Sequence, residues 1–130
     1  MAIAPTTPGL CPEQSAIAAQ EALIAELKAA GEPHARIRSA RMTLARMRGR
    51  HTKEQWEAMK AEFGHRCVQC GVGGTHLDKD HIVPVYQGGS DGLDNIQPLC
   101  PWCNAAKGPD RFNWAEYRRR HGFDALEPAA

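Results

Sequence analysis

Two Cys-x-x-Cys pairs are the first candidates for chemistry in this chain. They are formed by Cys67 with Cys70 and by Cys100 with Cys103. Such a turn lets two thiolates reach one tetrahedral ion, and two turns complete a four-cysteine zinc site. A redox dithiol or buried free thiols are the alternatives, but two pairs in one short stretch favour a structural Zn²⁺. We expect Cys11, which precedes both pairs by a long stretch, to be a free thiol without a role.

The residues between and after the two pairs suit a second, catalytic metal. In metal-assisted hydrolysis a cation polarises a phosphoryl oxygen while an imidazole takes a proton from water. Asp80 and Asn104 offer oxygen ligands for a hard cation, and the adjacent His81 offers the base. Lys107 would contact a phosphate, and Asn95 would fix the loop that orients His81. Taken singly, an Asp-His pair is commonly a surface feature and an Asn beside a helix is commonly a cap, so the interpretation depends on their joint order.

In combination these motifs resemble the HNH endonucleases of the ββα-metal fold. The resemblance runs from Trp56 to Arg111. The motifs that carry it are Cys67-Val-Gln-Cys70, Asp80-His-Ile-Val-Pro84, Gly88-Gly89-Ser90, Asp94-Asn-Ile-Gln-Pro-Leu-Cys100 and Pro101-Trp-Cys103-Asn-Ala-Ala-Lys-Gly108.

The resemblance implies a role for each matched residue. His81 would be the general base, and Asn95 the central structural asparagine. Asp80 and Asn104 would bind one catalytic divalent ion, and the four cysteines would bind the structural zinc. Position 104 departs from the pattern that names the family, which has a second histidine there. The all-oxygen pair that results favours Mg²⁺ or Mn²⁺ over Zn²⁺ or Ni²⁺.

Basic residues are concentrated in one part of the chain, although the net charge is only +1. Between Lys28 and Lys53 there are eight basic residues and a single acidic one. A concentrated basic segment fits a polyanionic partner, whereas the alternative is a solvated helical face. Next to the nuclease-like motifs, we interpret it as a surface for double-stranded DNA. The candidate DNA-contacting residues are Arg41, Arg46, Arg48, Arg50 and Arg111.

Hydrophobic periodicity predicts an α+β protein with helices on both sides of a small β-region. The expected helices cover 13–30, 34–49, 53–63, 101–107 and 113–121. The run Thr75–Val85 alternates loosely, and its strand character is expected to centre on Ile82–Val85. The fold class is a small ββα-metal HNH domain stapled by a four-cysteine zinc site, with an α-helical N-terminal extension and a C-terminal helix. The expected divisions are a disordered lead (1–12), a helical hairpin extension (13–50), the HNH nuclease domain (51–122) and a tail (123–130).

Composition excludes a membrane-spanning class. Mean hydropathy is −0.49, and no apolar run approaches the roughly 20 residues that a span requires. The N-terminal residues lack the basic start and apolar stretch of a secretory signal, so we expect a cytoplasmic protein with reduced cysteines. The oligomeric state stays open, with a monomer or a dimer through the helical extension as alternatives.

The sequence therefore predicts a metal-dependent HNH endonuclease that hydrolyses DNA phosphodiester bonds. One alternative is a non-catalytic zinc module that binds nucleic acid or a protein on the same scaffold. Another is a redox sensor in which oxidation of the cysteines releases zinc. Zinc binding alone requires none of the polar residues between and after the cysteine pairs, so their presence favours the enzyme.

Overall fold

The computed structural model describes residues 11–123 as a mixed helical and β structure. Residues 1–10 of the predicted lead and 124–130 of the predicted tail lie outside that range. The helices within it are α1 (Pro12–Ala29), α2 (His34–Arg48), α3 (Lys53–Glu62), α4 (Pro101–Lys107) and α5 (Trp114–His121). The strands are β1 (Asp78–His81) and β2 (Ile96–Leu99), paired antiparallel. The α+β class predicted from the sequence is confirmed, and none of the described helices is long and apolar enough to cross a bilayer.

Helices α1 and α2 form the expected hairpin. Ile24 and Leu27 of α1 meet Leu44 of α2 in a small apolar cluster. The turn between the helices places Gly31 at φ +68, in the left-handed region that glycine enters without a steric penalty. The hairpin is thus held by its own core as well as by its turn.

Cys11 caps the N-terminus of α1, which corrects the expectation that it has no role. Its Sγ accepts a hydrogen bond from the backbone N–H of Gln14 at 3.5 Å. The side chain of Gln14 accepts one in return from the Cys11 N–H at 3.1 Å. This reciprocal pair is a capping box in which sulfur replaces the usual hydroxyl. The thiol is free and exposed, and it lies outside the four-cysteine cluster.

A larger core joins α3, the sheet and α5. Trp56 and Phe63 are buried against Leu99 of β2, and Ala115 closes the core from α5. A capping box between Thr52 and Gln55 opens α3, whose Trp56 and Met59 are buried. Helices α3 and α5 therefore stabilise a sheet that has too few residues to be stable alone.

The first strand lies earlier in the chain than the sequence pattern indicated. It covers Asp78–His81, which lies within the alternating run Thr75–Val85, but the expectation that strand character centres on Ile82–Val85 is wrong. The β-branched residues there favour a strand, but Pro84 has no N–H to donate to a ladder, and a 3-10 turn follows it. The pairing therefore ends at His81, which lies opposite Ile96.

Asn95 ties together the loop that connects the two strands. Its Oδ1 accepts from the Val83 N–H at 2.9 Å, while its Nδ2 donates to the carbonyl oxygens of Val83 at 3.1 Å and Ser90 at 2.7 Å. Gly89 lies at the closest approach, where an added Cβ would be 1.8 Å from the Val83 oxygen and 2.9 Å from Asn95 Nδ2. Glycine is required at this position because there is no space for a side chain.

We expect Gly89→Ala to lower the free energy of unfolding by about 1–3 kcal/mol, because the methyl group would force Val83 and Asn95 apart. Urea unfolding followed by circular dichroism measures the change. Gly73→Ala is the matched control, since a Cβ there meets only ordinary contacts, the nearer at 3.7 Å. An equal loss of stability in both variants would contradict the packing argument.

Candidate active site

The four paired cysteines come together at one point, as predicted. Their Sγ atoms all lie within 4.8 Å of one another, and the Sγ atoms of Cys70 and Cys100 are 3.8 Å apart. Four sulfurs placed tetrahedrally at 2.3 Å from one zinc ion would be about 3.8 Å apart. No other cluster of His, Cys, Asp and Glu side chains with this geometry occurs between residues 11 and 123. The cluster is therefore a candidate zinc site.

The surroundings of the thiols fit a bound cation. At Cys67, burial alone would raise the pKa, but the backbone N–H groups of Cys100, Cys70 and Gln69 outweigh it and lower the pKa. Burial raises the pKa of Cys70 and Cys103. Because metal ligation requires thiolates, a bound ion must supply the energy that deprotonates these two groups.

Arg118 holds the Cys67–Cys70 turn through hydrogen bonds to its backbone. Its guanidinium donates to the carbonyl oxygens of Val68 at 2.6 Å and Gln69 at 2.7 Å, and the residue is 5% exposed. Burial lowers the pKa of this guanidinium, while its two bonds to carbonyl oxygens satisfy its donors. The sequence signal for this role was helical spacing, because Arg118 follows the buried Ala115 by three residues.

Asp80 is a buried carboxylate in the middle of the sheet, with 7% of its surface exposed. Its Oδ2 accepts a hydrogen bond from Gln97 Nε2 at 2.9 Å, and its Oδ1 lies 3.6 Å from Lys107 Nζ. Burial raises the pKa of Asp80, and the bond from Gln97 and the charge of Lys107 offset this only in part. A carboxylate with this environment gains from a nearby cation.

Gln97 is a site residue that the sequence pattern did not single out. It is fully buried, and its Nε2 is shared between Asp80 and the carbonyl oxygen of Phe112 at 3.2 Å. Its Oε1 accepts from the Ala115 N–H at 3.1 Å. Gln97 therefore couples Asp80 to the start of α5. The sequence feature that could have revealed this role is an amide side chain inside an otherwise apolar strand.

Asn104 and Lys107 lie one turn apart on α4, where both approach β1. Lys107 Nζ donates to the backbone oxygen of His81 at 3.3 Å and to that of the next residue at 3.2 Å. Asn104 Nδ2 donates to Asp78 Oδ2 at 3.0 Å, and its Oδ1 accepts no hydrogen bond from the described residues. This amide oxygen remains available to a ligand. That Asn104 shares one ion with Asp80 stays a prediction.

His81 ends β1 and is paired with a carboxylate that the sequence pattern missed. Its Nε2 lies 2.8 Å from Asp91 Oδ1, and Asp91 is 8% exposed. An ionised carboxylate can only accept, so His81 donates its Nε2–H and Nδ1 is left as the proton acceptor. Asp91 therefore fixes the orientation of the His81 ring, while the role of His81 as a base stays a prediction.

The hairpin holds Asp91 in place. Its backbone N–H donates to the Ala45 oxygen of α2 at 3.0 Å, and its backbone oxygen lies 2.7 Å from Nδ1 of the buried His51. Arg46 Nε lies 3.8 Å from its Oδ2. The end of α2 and His51, three residues beyond the helix, thus position the partner of His81.

A cavity of about 690 Å³ opens beside these side chains. Residues of β1, α4, α2 and the segment 84–86 line it. The β1 and α4 residues that line it are Lys79, Asp80, His81, Asn104, Ala105 and Lys107. The structure thus gathers the predicted base, the predicted metal ligands and the predicted phosphate-contacting lysine around one space.

The five arginines predicted to contact DNA are placed differently from one another. Arg41 lines the cavity. Arg46 and Arg48 are ion-paired to acidic residues of the chain, at 3.8 Å and 3.7 Å. Arg50 borders a separate depression, and Arg111 donates to a glutamine of the 85–87 turn at 2.7 Å. Contact of these five residues with DNA stays a prediction.

Comparison with known proteins agrees with this geometry. The profile of the HNH endonuclease family matches residues 66–110, which hold the four cysteines, β1, β2 and α4. Anaredoxin of Nostoc sp. (strain PCC 7120 / SAG 25.82 / UTEX 2576) is 30% identical over 54 residues, which is 42% of this chain and 70% of Anaredoxin. No solved structure is significantly similar to this chain.

We expect Cys100→Ser to remove the bound zinc and to destabilise the domain, because a thiolate ligand is lost while the serine hydroxyl can still cap α4. Elemental analysis of the purified protein should give about one zinc per parent chain and much less for the variant. Cys11→Ser is the matched control, since Cys11 lies outside the cluster. Full zinc occupancy in Cys100→Ser would exclude the four-cysteine site.

Proposed function

This chain belongs to the HNH endonuclease family, and we propose that it is a metal-dependent endonuclease that hydrolyses DNA phosphodiester bonds. One observation carries the proposal: His81, oriented by Asp91, lines the same cavity as the buried Asp80 and Lys107. An HNH domain implies a nucleic-acid partner, and we propose double-stranded DNA. The four cysteines would hold a structural Zn²⁺.

The oxygen atoms at the cavity fit a hard divalent ion such as Mg²⁺ or Mn²⁺. Asp80 supplies a buried carboxylate, and Asn104 supplies an amide oxygen that no described group occupies. Both are ligands that such ions prefer. When bound there, the ion would polarise the scissile phosphate and stabilise the leaving oxygen.

The protein's own side chains supply the proton transfer and the positioning. Asp91 holds the Nε2–H of His81, so the free Nδ1 takes a proton from the attacking water. The water oxygen then bonds to phosphorus as the bond from phosphorus to the 3′ oxygen breaks. The departing 3′ oxygen takes a proton from solvent water, which leaves 5′-phosphate and 3′-hydroxyl ends. Lys107 fixes the end of β1 through two backbone oxygens and brings a positive charge to the phosphate. Asn95 acts indirectly, through the loop that carries Asp91.

We expect His81→Ala to reduce plasmid cleavage in the presence of Mg²⁺ or Mn²⁺ by about 10²–10⁴-fold, because the general base is lost. Gel analysis of plasmid forms and mapping of the product ends measure this. Zinc content and the melting temperature should match the parent. His121→Ala is the control, since that exposed ring lies against Tyr117 on α5, away from the cavity. Equal cleavage by His81→Ala and the parent would exclude His81 as the base.

We expect Asp91→Asn to lower kcat at least about tenfold with little change in KM, because the amide no longer fixes the tautomer of His81. Steady-state kinetics on a labelled duplex separates the two constants. Asp94→Asn provides a matched change at an exposed residue of the same loop. A rise in KM with kcat unchanged would show that Asp91 serves substrate binding instead.

The two alternatives predict different results in the same experiments. A non-catalytic zinc module would bind DNA and leave it intact with every divalent ion. A redox sensor would keep its function in His81→Ala and lose it in Cys100→Ser. The pairing of His81 with Asp91 favours hydrolysis, because neither zinc binding nor thiol oxidation uses it.

A further inference from the structure

The hairpin contributes one wall of the catalytic cavity, although it lies outside the segment that matches the HNH family. The α2 residues that line the cavity are His34, Arg38, Arg41 and Met42. They face β1 and α4, which carry His81 and Lys107. The cavity is therefore built jointly by the family segment and by the N-terminal extension of this chain.

The arginines of α2 divide into two groups according to their partners. Arg36, Arg46 and Arg48 each form an ion pair with an acidic residue of the chain. Arg38 and Arg41 have no ion pair or hydrogen bond of the side chain to any of the residues from 11 to 123. These two are also the arginines of α2 that line the cavity. The cations left without a partner are thus those that face the catalytic residues.

The charge of the cavity suits a polyanion. Arg38, Arg41, Lys79 and Lys107 line it against the single carboxylate of Asp80. Because Arg38 and Arg41 are three residues apart on one helix, their Cβ atoms are about 5–6 Å apart on the same face. Two guanidinium groups so placed can meet one stretch of a phosphate backbone, and the planar fork of arginine suits phosphate oxygens.

The hairpin is fixed to the catalytic loop. The bond from the Asp91 N–H to Ala45 and the contact of His51 with the Asp91 oxygen hold the end of α2 beside His81. Phosphates held by α2 would therefore stay in a constant position relative to the base.

We propose that α2 is a phosphate clamp, in which Arg38 and Arg41 bind the DNA backbone next to the bond that is cut. The clamp rests on the proposed function and adds a binding surface from outside the family segment. The clamp explains why α2 lines the cavity, why Arg38 and Arg41 have no partner among the described residues, and why Asp91 is hydrogen-bonded to the end of α2.

The test compares Arg38→Gln/Arg41→Gln with Arg36→Gln/Arg119→Gln, which removes the same charge from ion-paired arginines that do not line the cavity. Both pairs are made in the His81→Ala protein, without added Mg²⁺, so that a fluorescent duplex stays intact during anisotropy titrations over a range of salt. The clamp predicts a slope of log K against log salt that is smaller by about 1.8, at about 0.9 for each lost phosphate contact. Affinity should fall about tenfold, while the control pair keeps both slope and affinity.

Cleavage by the same pairs with His81 restored separates the clamp from the proposed function. KM should rise more than kcat falls in Arg38→Gln/Arg41→Gln. Equal slopes for the two pairs would overturn the clamp even when the parent cuts DNA. A smaller slope for the clamp pair, with no cutting by the parent at any divalent ion, would overturn the endonuclease and leave the clamp. Absence of DNA binding by the parent would overturn both.

Discussion

The four-thiol cluster is the constraint on which the active site depends. The sheet has only four residues in each strand, and a two-stranded sheet of that size is marginal in water. Cys100 both belongs to the cluster and caps α4, since its Sγ accepts the Cys103 N–H at 3.4 Å. The cluster therefore sets where α4 begins and in which direction it runs. Asn104 and Lys107 reach β1 only because α4 is held there.

A second constraint acts on His81, and it comes from Asp91 and α2. The thiols position α4, whereas His81 is oriented by Asp91, and Asp91 is held by α2 and His51. The loop that carries Asp91 closes tightly because Asn95 bonds to both of its ends and Gly89 leaves room for that contact. The segment that matches the family thus contains the proposed catalytic side chains, but the orientation of His81 depends on α2 and His51, which lie before that segment in the chain.

Local signals in the sequence predicted the parts of this site that depend on near neighbours. The bounds of α4 follow from the second cysteine pair and its proline, and α3 begins at the predicted residue 53. The first strand was misplaced because β-branched residues after His81 outweighed the effect of Pro84. The missed partnerships join residues far apart in sequence: Gln97 to Asp80 across 17 positions, Asp91 to His81 across 10, and Arg118 to Val68 across 50. No local pattern specifies such contacts, since they arise only once the chain is folded.

The role of a basic residue is indicated by the groups that its side chain contacts, and not by the number of basic residues in its segment. Burying a charge is costly unless it is paired or hydrogen-bonded, so a buried cation with carbonyl or carboxylate partners serves the fold. Arg118 belongs to that class. Arg48 is exposed, but its guanidinium is also engaged within the chain, by Glu21 at 3.7 Å and by the Gly88 oxygen at 3.3 Å. Arg38 and Arg41 differ because their charges have no partner among the described residues and border the cavity. The same basic segment therefore contains residues that anchor α2 and residues whose charge is left for a ligand, and only the three-dimensional arrangement separates them.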